Sequence, residues 1–197
     1  MFAKNGRKLK NNSNDVIYTP LPVALKMIDM CDIHVNDKIL DPSKGGGVFY
    51  NNFPNNCIKD YCEISEGIDF FNYTEKVDII IGNPPYSLWN KWIEHTMKLT
   101  DKFCYIFGSF NFTDKRLRDI VNNGYGVTKF HLVKIDWWYS PSYLIVFEKN
   151  KTSIITVSNE RIICDICKRR CGRGRTLKGY KYGANECSND LKGNLYI

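Results

Sequence analysis

Asn83, Pro84, Pro85 and Tyr86 close the stretch VDIIIGNPPYS, residues 77–87. An apolar run that ends in two prolines gives up two N–H donors and stiffens the backbone, while both carbonyls stay able to accept. Asn83 adds an amide oxygen beside them, and Tyr86 adds a flat aromatic face. Such a rigid, acceptor-rich corner suits a planar molecule with an exocyclic amino group, whose two N–H bonds find acceptors while its ring stacks on the tyrosine.

Other chemistry-bearing residues follow apolar runs in the same way. DPSKGGG (41–47) brings Asp41 and Ser43 into a glycine turn. Glycine permits the close backbone approach that a ribose or phosphate needs, because a Cβ would block it. Glu63 follows NCIKDYC, where a carboxylate can accept from ribose hydroxyls. Asp69, in GIDFF, can accept from an adenine amino group. Each acid alone reads as easily as a solvated loop residue; three in order after successive apolar runs are harder to assign to chance.

These residues need elements to hold them at one edge. The spacing predicts a helix over YTPLPVALKMIDMC (18–31), with Thr19 as N-cap, Pro20 at the first helical position and Leu21, Ala24, Leu25 and Ile28 on one face. A short strand, DKILD, precedes the glycine turn and a helix start. NCIKDYCEI is a second strand, GIDFFNY a loop, and VDIIIG a third strand. LWNKWIEHTMKLT is helical, with Leu88, Trp89, Trp92, Ile93 and Met97 on one face. KFCYIFGSF is a strand that ends near Ser109, and TDKRLRDIVNNG is a capped helix stopped at Gly124. VTKFHLVKIDWW and SYLIVFEKN pair as a hairpin through YSPS. Strands alternating with helices imply an α/β fold: a mostly parallel sheet covered on both faces, with an antiparallel strand at or near one edge. In such sheets ligands bind beyond the carboxyl ends of the strands.

With these motifs in this order, the chain resembles the S-adenosylmethionine-dependent DNA N6-adenine methyltransferases, the NPPY amino methyltransferases in their compact phage-like form. The resemblance spans roughly residues 15–150. It implies a Rossmann-like class I methyltransferase fold. YTP (Tyr18, Thr19, Pro20) matches the motif beside the methionine part of the cofactor. DPSKGGG matches the D-P-x-x-G-x-G loop, with Asp41, Ser43, Gly45 and Gly47 on the cofactor; CEI puts Glu63 at the ribose, and GIDFF puts Asp69 at the cofactor adenine. NPPY implies Asn83, Pro84, Pro85 and Tyr86 as the catalytic residues, with Asn83 also bordering the cofactor. Tyr86 would stack on the extruded base; Trp138, with Trp137 and Tyr139 close by, is the candidate for its other face, and Ser109 is a further substrate-side candidate. Lys44 departs from the family pattern, which favours small residues there. Only three residues separate Glu63 from Gly67, so the usual helix and strand between those motifs are shortened. The same motif serves RNA adenine methyltransferases and enzymes acting on protein glutamine, and an inactive nucleic-acid-binding relative would keep the fold.

The 197 residues carry a net charge of +7, and the excess is localised. Residues 161–197 hold nine Lys and Arg against three acids. A basic patch is the footprint of a polyanion, so nucleic acid is the expected partner, with Lys168, Arg169, Arg170, Arg173 and Arg175 as contacts; the family resemblance implies DNA. Cys164, Cys167, Cys171 and Cys187 lie in the same segment at C-x2-C-x3-C-x15-C spacing, the pattern of a structural Zn2+ site. Cys31, Cys57, Cys62 and Cys104 stand singly among apolar residues and read as small core side chains. The expected organisation is a flexible basic arm (1–14), a methyltransferase domain (15–158) and a zinc-binding tail (159–197). No apolar run is long enough to cross a bilayer and the start is polar, which reads as a cytoplasmic protein without a membrane partner.

Overall fold

The computed structural model describes residues 17–136, 138 and 140–156. Six strands form one sheet: β1 (Lys38–Asp41), β2 (Ile58–Tyr61), β3 (Ile79–Gly82), β4 (Lys102–Gly108), β5 (Tyr125–Val133) and β6 (Ser142–Lys149), in the order β2-β1-β3-β4-β6-β5. The first four run parallel to one another, and β6 runs antiparallel between β4 and β5. The antiparallel strand is therefore next to the edge, because β5 takes the edge itself.

Alternation along the strands divides the core in two. Leu40, Ile80, Phe103, Tyr105, Phe107, Ile145 and Phe147 face helices α2 (Trp89–Leu99) and α3 (Asp114–Asn122). Ile39, Ile79, Ile81, Cys104, Ile106, Leu144 and Val146 face helix α1 (Leu21–Asp29). Strands buried on both faces read as near-continuous apolar runs, as IIIG and CYIF do. Cys31, Cys62 and Cys104 are buried as free thiols and Cys57 is partly so.

Helix α3 is capped as its sequence implies: the Thr113 side chain accepts from the Arg116 N–H, and Gly124 beyond the end takes φ +87°. Helix α1 differs by one residue. Pro20 is the N-cap, its carbonyl accepting from Val23 and Ala24, while Thr19 is buried and makes no cap bond. The buried stripe is Val23, Ala24, Met27 and Ile28; Leu21 and Leu25 are exposed. On α2 the stripe is Trp89, Trp92, Ile93, Thr96 and Leu99, with Leu88 exposed.

No α-helix follows the glycine turn. Tyr50–Asn52 makes a single 3₁₀ turn. Phe53, extended at ψ 145°, then leads into Pro54, and a residue before proline is disfavoured in helical conformation. Between β2 and β3 the chain makes only two 3₁₀ turns, Ile64–Glu66 and Phe70–Asn72, so β2 is an edge strand. The connection from β5 to β6 spans 134–141, longer than a YSPS hairpin, and Ile135 near its start is buried.

Candidate active site

The carboxyl ends of β1, β2, β3 and β4 bring Asp41, Glu63, Asn83 and Ser109 to one edge of the sheet. Asp41 is fully buried. Its Oδ1 accepts from the Ser43 N–H at 3.2 Å and its Oδ2 from the Tyr50 N–H at 3.3 Å, so it shapes the turn from within. Burial pushes its carboxyl up to about 7, against the pull of those two N–H groups; the charge of Glu63 adds to the rise.

The turn is fastened to the chain beyond β2. The Lys44 N–H donates to the Cys62 carbonyl at 2.9 Å, and the Gly45 N–H donates to Glu63 Oε2 at 2.7 Å. Glu63 Oε1 accepts from the Ser65 hydroxyl at 2.6 Å and the Ser65 N–H at 3.0 Å. The Ser65 hydroxyl, above all, holds the Glu63 carboxyl below its ordinary range, so it is a carboxylate at neutral pH. Three donors on two oxygens leave one of its roughly four lone-pair positions for another donor. Gly45 and Gly47 have φ +50° and +78°, and a Cβ on Gly47 would meet Asn51 Nδ2 at 2.8 Å. Tyr18 is largely exposed and lays its ring over Gly45 and Gly46.

Lys44 acquires a place here. Its Nζ lies 2.7 Å from Glu66 Oε1 and 3.7 Å from the centre of the Tyr61 ring, while the Tyr61 hydroxyl donates to Glu66 Oε2 at 2.9 Å. The lysine thus clips the turn to the outer end of β2. Ser65, Tyr61 and Glu66 were not singled out in the sequence, since only folding sets them beside Glu63 and Lys44. Asp69 caps the second 3₁₀ turn by accepting from the Phe71 N–H at 2.9 Å.

At β3 the backbone is crowded. A Cβ on Gly82 would meet Pro42 Cδ at 2.9 Å, so the NPPY corner lies against the start of the glycine turn. The Ser43 hydroxyl donates to the Asn83 carbonyl at 3.3 Å. Asn83 Nδ2 donates to the Ile17 carbonyl at 3.0 Å, just before Tyr18. That bond orients the amide and leaves Oδ1 enclosed without a hydrogen-bond partner. Pro84 is buried and Pro85 partly so. Tyr86 packs on the α2 side, where its hydroxyl donates to the Ile106 carbonyl at 3.2 Å.

Trp138 packs on the α1 side. The structure therefore sets it across the sheet from Tyr86. Its carbonyl accepts from Lys134 Nζ at 2.8 Å, and the Ser109 N–H donates to the Pro141 carbonyl at 3.1 Å, tying this connection to the end of β4. Trp137, Tyr139, the basic residues Lys168, Arg169, Arg170, Arg173 and Arg175, and the four cysteines Cys164, Cys167, Cys171 and Cys187 lie outside the described residues. Among the described residues no group of three or more His, Cys, Asp or Glu could hold a metal ion, and no helix is long and apolar enough to cross a membrane.

No protein-family model matches the chain, and no curated protein matches its sequence. Solved structures do resemble it. A candidate RNA methyltransferase from Pyrococcus horikoshii aligns at TM-score 0.55 and 15% identity, over 73% of this chain and 92% of that one. A tRNA m1G37 methyltransferase from M. jannaschii aligns at TM-score 0.55 and 17% identity, over 70% of this chain and 50% of that one. A precorrin-6y C5,15-methyltransferase from Geobacter metallireducens GS-15 aligns at TM-score 0.52 and 13% identity, over 65% and 88% respectively. At these identities the likeness is one of fold: the mixed six-stranded sheet is Rossmann-like, as in class I methyltransferases.

Proposed function

We propose that this chain transfers a methyl group from S-adenosyl-L-methionine to the N6 amino group of adenine in nucleic acid, with DNA as the expected polymer. The observation that carries the reading is the enclosed, partnerless Oδ1 of Asn83 at the end of β3. Buried acceptors are almost always satisfied, so one held ready at a strand end asks for a donor from outside the chain.

The residues at the edge fit the cofactor. Glu63 is ionised and keeps a lone-pair position for a ribose hydroxyl, and the glycine turn brings no side chain of its own at Gly45, Gly46 or Gly47, with the exposed Tyr18 ring against the first two. Tyr18, Thr19 and Pro20 border the turn on the methionine side, and Asp69 stands at the cofactor adenine. Bound S-adenosyl-L-methionine supplies an electrophilic methyl group. Asn83 Oδ1 and the Pro84 carbonyl accept the two hydrogens of the target amine, which turns its lone pair outward and holds it in place. As the N–C bond forms the C–S bond breaks, S-adenosylhomocysteine leaves, and the methylated amine gives up one proton to water; positioning and stabilisation of the developing positive charge provide the rate gain. The Tyr86 ring, fixed by its bond to Ile106, stacks on the base, and the fixed amide and the Pro-Pro backbone need no rearrangement as the amine reacts. The basic residues of the tail would hold the phosphates, and Cys164, Cys167, Cys171 and Cys187 would hold a structural Zn2+.

A second reading replaces DNA by RNA. It is favoured by two of the structural relatives, described as RNA and tRNA methyltransferases. Incubation with labelled cofactor, unmethylated genomic DNA and total RNA, followed by nucleoside mass spectrometry, distinguishes the two. Asn83→Ala should lower transfer more than tenfold, about 1.4 kcal/mol, with cofactor affinity nearly unchanged. Transfer within tenfold of the parent would remove Asn83 from the chemistry.

A further inference from the structure

A second polar atom at this edge is also enclosed without a partner: the hydroxyl of Ser142, at the first position of β6. Ser142 is fully buried. The register sets it opposite Gly108 of β4 on one side and Val133 of β5 on the other, so it lies at the catalytic end of the sheet. Its face follows from alternation: Leu144 and Val146 face α1, and Ser142 shares their side. Trp138 packs on that side as well, and Asn83, one residue past β3, follows Ile79 and Ile81 of the same side.

The residue opposite on β4, Gly108, brings no side chain to the hydroxyl. Gly108 presents the same face, since it continues the series Cys104 and Ile106, and a Cβ there would meet only Asn111 Nδ2 at 3.8 Å. A serine hydroxyl can donate once and accept twice, yet Ser142 does neither. An alanine would serve the free protein at least as well, because a buried unsatisfied hydroxyl is destabilising. Strands β3 and β6 flank β4, which sets them about 10 Å apart. A planar aminated heterocycle with a hydrogen bond at each end covers that span.

We propose that Ser142 Oγ is a second hydrogen-bonding contact of the target-base pocket, meeting the ring edge remote from the amino group that Asn83 holds. This rests on the amino-methyltransferase reading above. Ser142 would help decide which ring is accepted, because a site that hydrogen-bonds a ring atom rejects an analogue lacking it.

The test compares the full-length parent with Ser142→Ala and Ser142→Cys, using unmethylated genomic DNA and total RNA in parallel and N6-methyladenosine nucleosides as readout. Ser142→Ala should lower kcat/KM for the nucleic acid roughly tenfold. It should leave cofactor affinity unchanged and Tm unchanged or higher. Ser142→Cys, similar in shape but a weaker hydrogen-bonding group, should fall between. Transfer by Ser142→Ala within twofold of the parent would overturn the proposal while leaving the methyltransferase reading intact. So would a fall in Tm and cofactor affinity alongside activity, which marks a structural role. Should the alanine variant not fold, activity of Ser142→Cys equal to the parent's would overturn it. Absence of methylation by the parent on either polymer would overturn both readings together.

Discussion

Asp41 and Glu63 are two carboxylates on neighbouring strands, and their surroundings drive them apart. Asp41 is pushed up to about 7 by burial, from an ordinary 3.8, so the folded chain holds its proton more tightly than the unfolded one. Its contribution to stability is therefore complete below about pH 4 and lost as pH rises toward 7. Asp41→Asn, uncharged throughout, should flatten that fall relative to the parent, by about 4 kcal/mol at most; thermal unfolding from pH 4 to 8 measures it. A parallel pH dependence in both chains would contradict the assignment. Glu63 and Glu66 are held low and act with the opposite sign, but both chains carry them, so the difference isolates Asp41. Glu63 fastens the turn as well as facing the ribose position, so Glu63→Ala should weaken S-adenosylmethionine binding by about 1–3 kcal/mol. An unchanged affinity by calorimetry would make Glu63 a bystander.

Among the elements, the glycine turn carries the most constraint per residue. It stands between β1 and a single 3₁₀ turn, with no α-helix to brace it. Its bracing comes instead from Asp41 inside and from Lys44, Glu63 and Glu66 outside. Gly47 has a left-handed backbone and no room toward Asn51. Gly47→Ala should therefore cost about 1–2 kcal/mol of stability, since an L-residue pays that much in this region, and cofactor affinity should fall with it. A denaturant titration beside a binding titration would show both. Equal stability would mean that Asn51 moves aside and that the turn tolerates the change.

On the scale of the whole molecule, the sheet domain extends past its last strand. The Ile154 N–H donates to the Val127 carbonyl, Ser153 Oγ accepts from the Val127 N–H, and Ile155 packs on the α2-side core. A cut after Asn150 would strip this bracing from β5, so a truncation that tests the tail belongs after Thr156. That shortened chain should bind S-adenosylmethionine as the parent does and bind nucleic acid more weakly, with a shallower dependence on salt. Purified full-length protein should carry one zinc ion, and chelation should reproduce the truncation, because metal binding folds so small a segment. Metal analysis without bound zinc, or undiminished nucleic-acid binding after the cut, would contradict the role given to residues 159–197.

Much of this was legible along the chain because it depends on local pattern. The class of fold, the strand ends that carry Asp41, Glu63 and Asn83, and the Thr113 cap follow from runs of apolar residues, glycines and prolines. These signals act within a few residues of themselves. Position within the fold was not legible in the same way. The turned face of α1 and the edge place of β2 depend on what packs against each element. So does the site: Glu63 is held by Ser65 and Gly45, Lys44 by Tyr61 and Glu66, and Asn83 by the Ile17 carbonyl 66 positions away. Trp138 and Tyr86 looked alike as aromatic neighbours of a base, yet Tyr86 packs on the α2 side and Trp138 on the α1 side. The orphan oxygens of Asn83 and Ser142 are visible only in three dimensions, because whether a polar atom is satisfied depends on everything around it.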